Sequence, residues 1–219
     1  MGSKPPRRTR ERILDLALRL FNDFGEPNVN TTLISEEMKI SPGNLYYHFK
    51  NKDDIVVCIF QDFEREITQV LAIPNGRDAN VEDVWLFLHL LFEQIWKYRF
   101  FYRDLNNLLA NNRTLEIRFK QLLQQKVLVA RRLCEGLLSA KELDASPPEI
   151  DALAINMVVI ATYWLSYAYV LDPRRSNEPA VISASLQRGC YQVMALIAPH
   201  LSGSSRILFD KLAGEYLNS

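Results

Sequence analysis

Apolar residues recur along this chain with the helical spacing almost throughout. Ile13, Leu16, Ala17, Leu20, Phe21 and Phe24 form an i, i+3, i+4, i+7 stripe, and Gly25 follows as a C-terminal stop. A short second helix is predicted from Thr31 or Thr32 to Met38, then a tight turn at Lys39-Ile40. Ser41-Pro42 supplies an N-cap and a proline at the first helical position, opening a third helix through about His48. Asn51-Lys52-Asp53-Asp54 opens a fourth, to about Leu71. A fifth, with Asn80 and Asp83 as capping pair, reaches about Tyr98. A shorter sixth covers Phe101 to Ala110, and a seventh Thr114 to Ala140. Pro147-Pro148 opens an eighth that Asp172-Pro173 ends. A ninth spans Pro179 to Ala198, and a tail helix Arg206 to Leu217. No run alternates as a strand does, so the pattern predicts an all-α chain.

Residues 73–80, mixing Pro, Asn, Gly and charge, read as a linker. The expected organisation is an N-terminal three-helix domain (1–52), a connecting helix (about 52–71) and a larger C-terminal helical bundle (73–219). Ala152 to Leu171 carries no formal charge over twenty residues, long enough to span a bilayer. Asn156, Thr162, Ser166 and three tyrosines interrupt it, so it reads better as a bundle centre or an oligomer interface. Met1 to Pro6 lacks the apolar core of a signal peptide, and Pro6 stands where a myristoylation motif wants Ser or Thr. A cytoplasmic protein is the expectation.

Composition sharpens this only where it is local. Lys+Arg and Asp+Glu both number 26, yet residues 1–52 hold nine basic against six acidic side chains, leaving the remainder at −3. Lys4, Arg7, Arg8, Arg10 and Arg12 crowd the start, and Lys50 and Lys52 follow the third helix. Cys58, Cys134 and Cys190 lie far apart, which excludes a closed disulfide framework and a clustered zinc site. His89 and Glu93, at i, i+4, lack an evident third ligand, so no metal is expected. No P-loop, GxSxG or GxGxxG is present, and neither an enzyme nor a cofactor is expected.

The second and third helices, joined by a turn of three or four residues, have the spacing of a helix-turn-helix, whose second helix enters the major groove. Pro42, Gly43 and Asn44 are compact, and the Asn44 amide suits a base edge, usually adenine. Leu45 and Phe49 suffice for the core, leaving Tyr46, Tyr47 and His48 for the groove. Arg7, Arg8, Lys50 and Lys52 supply charge for phosphates. A basic start is also the mark of a solvated tail, and tyrosines ending a short helix also serve as packing; it is their combination on one helix-turn-helix that favours DNA.

The string Ile40-Ser41-Pro42-Gly43-Asn44-Leu45-Tyr46-Tyr47-His48-Phe49-Lys50-Asn51-Lys52 resembles the signature of the TetR family of bacterial one-component transcriptional regulators. Arg10 to Leu14 and Phe24-Gly25 resemble that family's first helix, so the likeness covers about residues 8 to 56. The resemblance implies that Pro42, Gly43, Asn44 and Tyr46 face bases, and that Thr31 or Thr32, Tyr47, His48 and Lys52 hold phosphates. Two departures stand out. Lys39 occupies a turn position where the family often has Gly, so either a lysine takes the left-handed conformation or the turn differs. The second helix is one residue shorter at its start, which leaves Asn30, Thr31 and Thr32 as candidate caps.

The resemblance further implies a C-terminal domain that dimerises and receives a small molecule. Twelve of the 23 aromatic residues fall in two windows, 85–102 and 163–169. Trp85, Leu88, Phe92, Trp96, Phe101, Tyr102, Tyr163 and Tyr167 are the candidate pocket residues, with Asn106, Asn107, Asn156 and Thr162 as polar handles; packed core is the alternative. The helices over about 148–171 and 179–198 are the candidate homodimer interface, the second through Ile182, Leu186, Cys190, Val193 and Ile197. The expected function is a ligand-responsive regulator, a repressor on a palindromic operator, released by an apolar or aromatic effector. An activator on the same fold, or a helical dimeric adaptor without effector, is the rival reading.

Overall fold

Helices account for nearly all of the described backbone. In order they are α1 (Pro6–Phe24), α2 (Thr31–Met38), α3 (Pro42–His48), α4 (Lys52–Leu71), α5 (Val81–Lys97), α6 (Arg99–Arg103), α7 (Leu105–Asn111), α8 (Arg113–Ser139), α9 (Pro147–Leu171), α10 (Pro179–Ile197) and α11 (Gly203–Leu217). The computed structural model describes residues 6–72, 80–176 and 178–217, and their side chains apart from those of 6–8 and 215–217. The expected linker lies, Asn80 apart, outside the described residues. The chain divides into two compact units, residues 1–66 with 98–118, and 67–97 with 119–219.

In the first unit most of the predicted stripe of α1 is buried: Ile13, Ala17 and Phe21 are fully enclosed, beside Ile34 of α2, Leu45 of α3 and Ile55, Ile59 and Phe60 of α4, whereas Leu16 is half-buried and Phe24, at the end of the helix, is 59% exposed, contrary to expectation. Gly25 adopts φ 87°, and a short 3-10 turn, Glu26–Asn28, leads to α2. The sixth predicted helix is two helices. They meet at Asp104, whose carboxylate accepts a hydrogen bond from the Glu26 amide at 2.9 Å. Arg103 donates to the Phe21 and Asn22 carbonyls at 2.8 and 3.2 Å, a cation closing the C-terminus of α1.

In the second unit α10 packs against both α5 and α9, and glycine makes this possible. A Cβ on Gly189 would lie 2.6 Å from the Phe92 ring and 2.7 Å from that of Trp164. Trp164 donates its indole N–H to the Ser185 carbonyl at 2.7 Å. The Asn80/Asp83 pair caps α5 as expected, each backbone amide bonded to the other's side chain. Helix α9 is long and apolar enough to cross a membrane by length and composition alone. Eight of its residues, from Ile150 to Leu165, are buried inside this unit.

Candidate nucleic-acid interface

Helix α3 is set by local chemistry. The Ser41 hydroxyl accepts from the Asn44 amide at 3.2 Å, Pro42 occupies the first turn, and the helix stops after seven residues at Phe49. Leu45 and Phe49 are buried. Pro42, Gly43, Asn44, Tyr46 and Tyr47 are exposed, and His48 is half-buried. Tyr47 is 79% exposed and stacks edgewise on His48 with ring centres 5.2 Å apart. Gly43 has ordinary negative φ, and a Cβ there would meet nothing closer than its own cap, Ser41 Oγ, at 4.0 Å. The fold therefore makes no demand for glycine at 43.

Asn30 is the cap of α2: its side-chain oxygen accepts from the Leu33 amide at 2.8 Å. That leaves Thr31 half-buried and Thr32 exposed at the helix start. The Thr31 and Tyr46 hydroxyls lie 3.1 Å apart, joining the first turn of α2 to the open face of α3. Lys39 takes the left-handed conformation, φ 55° and ψ 44°, so the turn is kept without glycine.

The basic groups divide. Lys50 is exposed, and its backbone amide donates to Asp54 at 3.0 Å, fixing the step from α3 to α4. Lys52 is held from within: its ammonium lies 2.7 Å from the carboxylate of Glu26, which is nearly buried, and donates to the Glu26 carbonyl. A phosphate would have to share it. The side chains of Arg7 and Arg8 lie outside the described residues. Arg10, which the motif does not single out, lies over the Phe49 ring at 5.0 Å and donates to Cys58 Sγ at 3.0 Å.

The eight candidate pocket residues are not gathered in one cavity of either unit. Phe101 and Tyr102 are core of the first, against Phe60 and Phe63 at 5.3 to 6.0 Å. In the second, Leu88 and Phe92 are buried, and Trp85 and Trp96 are half-buried. Tyr163 and Tyr167 instead line an open groove of about 360 Å³ with Val159, Ile160, Trp164 and Gln192. Of the four polar handles, Asn106, Asn107 and Asn156 are exposed; Thr162 is buried with its hydroxyl unbonded.

On α10, Cys190, Val193 and Ile197 are turned into their own unit, contrary to the expected outward stripe, because Gly189 draws that helix onto α5 and α9. Burial raises the Cys134 and Cys190 thiols to about 11 and about 12, so neither is a nucleophile at neutral pH. His89 shares a hydrogen bond with the Trp85 carbonyl at 2.9 Å and stacks on that indole.

A family model described as TetR, bacterial transcriptional repressor, matches residues 62–209, and one for bacterial regulatory proteins of the tetR family matches residues 13–58. The chain belongs to the TetR family. It is 33% identical to a TetR-family transcriptional regulator from Marinobacter aquaeolei VT8, with a TM-score of 0.87 over 95% of this chain and 98% of that one. Over 91 residues it is 32% identical to an HTH-type transcriptional regulator of Staphylococcus aureus strain USA300, covering 41% of this chain and 49% of that protein. The chain thus spans about half the length of the curated relatives it matches. The SmeT–triclosan complex shares the fold alone: 16% identity, TM-score 0.58, 89% of this chain and 92% of that one.

Proposed function

We propose that this TetR-family protein is a homodimeric repressor that reads a palindromic operator with α3 and releases it when a small molecule occupies the second unit. The observation that carries the reading is the face of α3. Gly43, Asn44, Tyr46 and Tyr47 stand exposed on a short helix capped at its first turn, and the glycine has no packing reason to be there. Pro42, Gly43, Asn44 and Tyr46 meet bases. Thr31, Thr32, Tyr47, His48 and Lys50 meet phosphates, Arg7 and Arg8 join them from the start of α1, and Lys52 is shared with Glu26.

Residues 1–52 are the reading domain, α4 the connector, and 73–219 the part that dimerises and senses. The two-fold contact is assigned to the outward face of α9, where Ile155, Val159, Tyr163 and Tyr167 recur every fourth residue, with the exposed parts of α10 beside it. Asn51 and Asp54 fix the start of α4 to the end of α3, and from Ile67 onward α4 belongs to the second unit. An effector acts by favouring a conformer in which the two reading helices no longer match adjacent major grooves. SmeT, which shares the fold, forms a complex with triclosan, a precedent for an apolar aromatic effector. The protein works where the DNA is, in the cytoplasm.

Selection of bound duplexes from a random pool tests this. The expected product is an inverted repeat with half-sites about one helical turn, roughly 34 Å, apart. Its affinity should fall steeply with salt, by a slope of about −0.9 per phosphate neutralised. Recovery of no consensus, or of unpaired half-sites bound by monomer, would refute it.

A further inference from the structure

Two hydroxyls on the open face of the first unit are tied to each other. Thr31 Oγ1, in the first turn of α2, lies 3.1 Å from Tyr46 Oη on α3. Stability does not call for this bond. Tyr46 is 52% exposed, so water can satisfy its hydroxyl, and a bond so exposed contributes little. Nor is Thr31 needed as a cap, because the Asn30 side chain already accepts from the Leu33 amide at 2.8 Å. Its hydroxyl is therefore available to Tyr46. The two groups carry two protons between them, and the mutual bond takes one. If Thr31 donates, the spare proton is left to Tyr46. If Tyr46 donates, the spare proton belongs to Thr31, and the phenol oxygen offers lone pairs alone.

We propose that Tyr46 donates to Thr31, and that the pair makes Tyr46 a reader of exocyclic amino groups, adenine N6 or cytosine N4. This rests on the operator reading above and names the bases that one of its contacts takes. Two arguments fix the direction of the bond. A phenol is the stronger donor of the two hydroxyl types. A phosphate oxygen only accepts, and on the operator reading it meets Thr31 at the first turn of α2, where helix amides also favour an anion. Thr31 then gives its own proton to the phosphate and accepts from Tyr46. Donating to an anion makes a hydroxyl a better acceptor, which reinforces the same order. Tyr46 Oη thereby enters the major groove as an acceptor only. Adenine N6 and cytosine N4 donate there, whereas guanine O6 and N7 and thymine O4 repel a lone pair. Thr31 is thus a positioning residue that touches no base and sets which base its neighbour reads.

The test selects duplexes from a random pool with the full chain, then measures mobility-shift affinities for every single-base variant of the recovered site. Wild type is compared with Thr31→Val, Thr31→Ser and Tyr46→Phe. In the wild type, one position of each half-site should favour adenine and cytosine over guanine and thymine by about fivefold or more. Tyr46→Phe should erase that preference. Thr31→Val frees the phenol proton, so the preference should shrink to within about twofold, while the lost phosphate contact weakens all duplexes alike. Thr31→Ser keeps the hydroxyl and should keep the preference. Adding Thr31→Val to Tyr46→Phe should leave the base profile of Tyr46→Phe unchanged. Thr31→Ala replaces Thr31→Val if the latter melts below wild type. A threonine variant that weakens every duplex yet retains the preference overturns the assignment and leaves the operator reading intact. So does a Tyr46-dependent position that takes guanine or thymine, or a Tyr46→Phe profile identical to wild type. Recovery of no consensus by the wild type overturns the operator reading and this inference with it.

Discussion

Helices α3 and α9 both put tyrosines on the surface, and the company they keep is opposite. On α3, Tyr46 and Tyr47 stand 52% and 79% exposed beside Gly43, Asn44 and Lys50. On α9, Tyr163 and Tyr167 stand 47% and 56% exposed among Ile155, Val159 and Val170. An aromatic ring with a hydroxyl suits either a wet, charged partner or an apolar one. Its neighbours decide. On the proposed function, the compact polar tip of α3 with its packing-free glycine meets phosphates and base edges, and the row of apolar side chains on α9 meets a second copy.

That contrast can be broken at each end. The largest effect is expected from charging α9. Val159→Arg combined with Tyr163→Arg would bury unpaired cations in the two-fold contact, raising the dimer dissociation constant by about 100-fold or more. Sedimentation velocity would read this, and an unchanged dimer would remove α9 from the interface. Next is Tyr47→Ala, which should weaken operator binding by about tenfold at unchanged dimer affinity; a fall in both would mean that the two helices are not separate devices. Asn30→Ala should cost about 1 kcal/mol through the lost α2 cap, seen as a melting temperature lower by about 2–4 °C. The smallest effect is Lys39→Gly, which relieves the left-handed backbone and should gain roughly 0.5 kcal/mol, less than the full relief because glycine is freer when unfolded. A loss there would show that the Lys39 side chain does more than fill the turn.

What the sequence made legible was local. The α1 stripe, the Ser41-Pro42 start and the Asn80/Asp83 cap are each set by residues within a few positions, and each recurs in the structure save for Phe24, which ends the stripe on the surface. The break at Asp104 is fixed by an amide 78 residues away, which no window contains. Lys52 reads as a phosphate ligand from its place after α3, and only the fold reveals Glu26 beneath it. The inward turn of Cys190, Val193 and Ile197 depends on Gly189, whose missing side chain has meaning only once Phe92 and Trp164 stand opposite.

The central claim is that α3 approaches DNA closely enough to require glycine at 43. Its most direct test is the affinity of Gly43→Ala for the selected operator, measured beside its melting temperature. A Cβ there touches nothing in the protein, so the melting temperature should hold or rise slightly while operator affinity falls by about tenfold or more. Wild-type affinity in a stable Gly43→Ala protein would contradict the account.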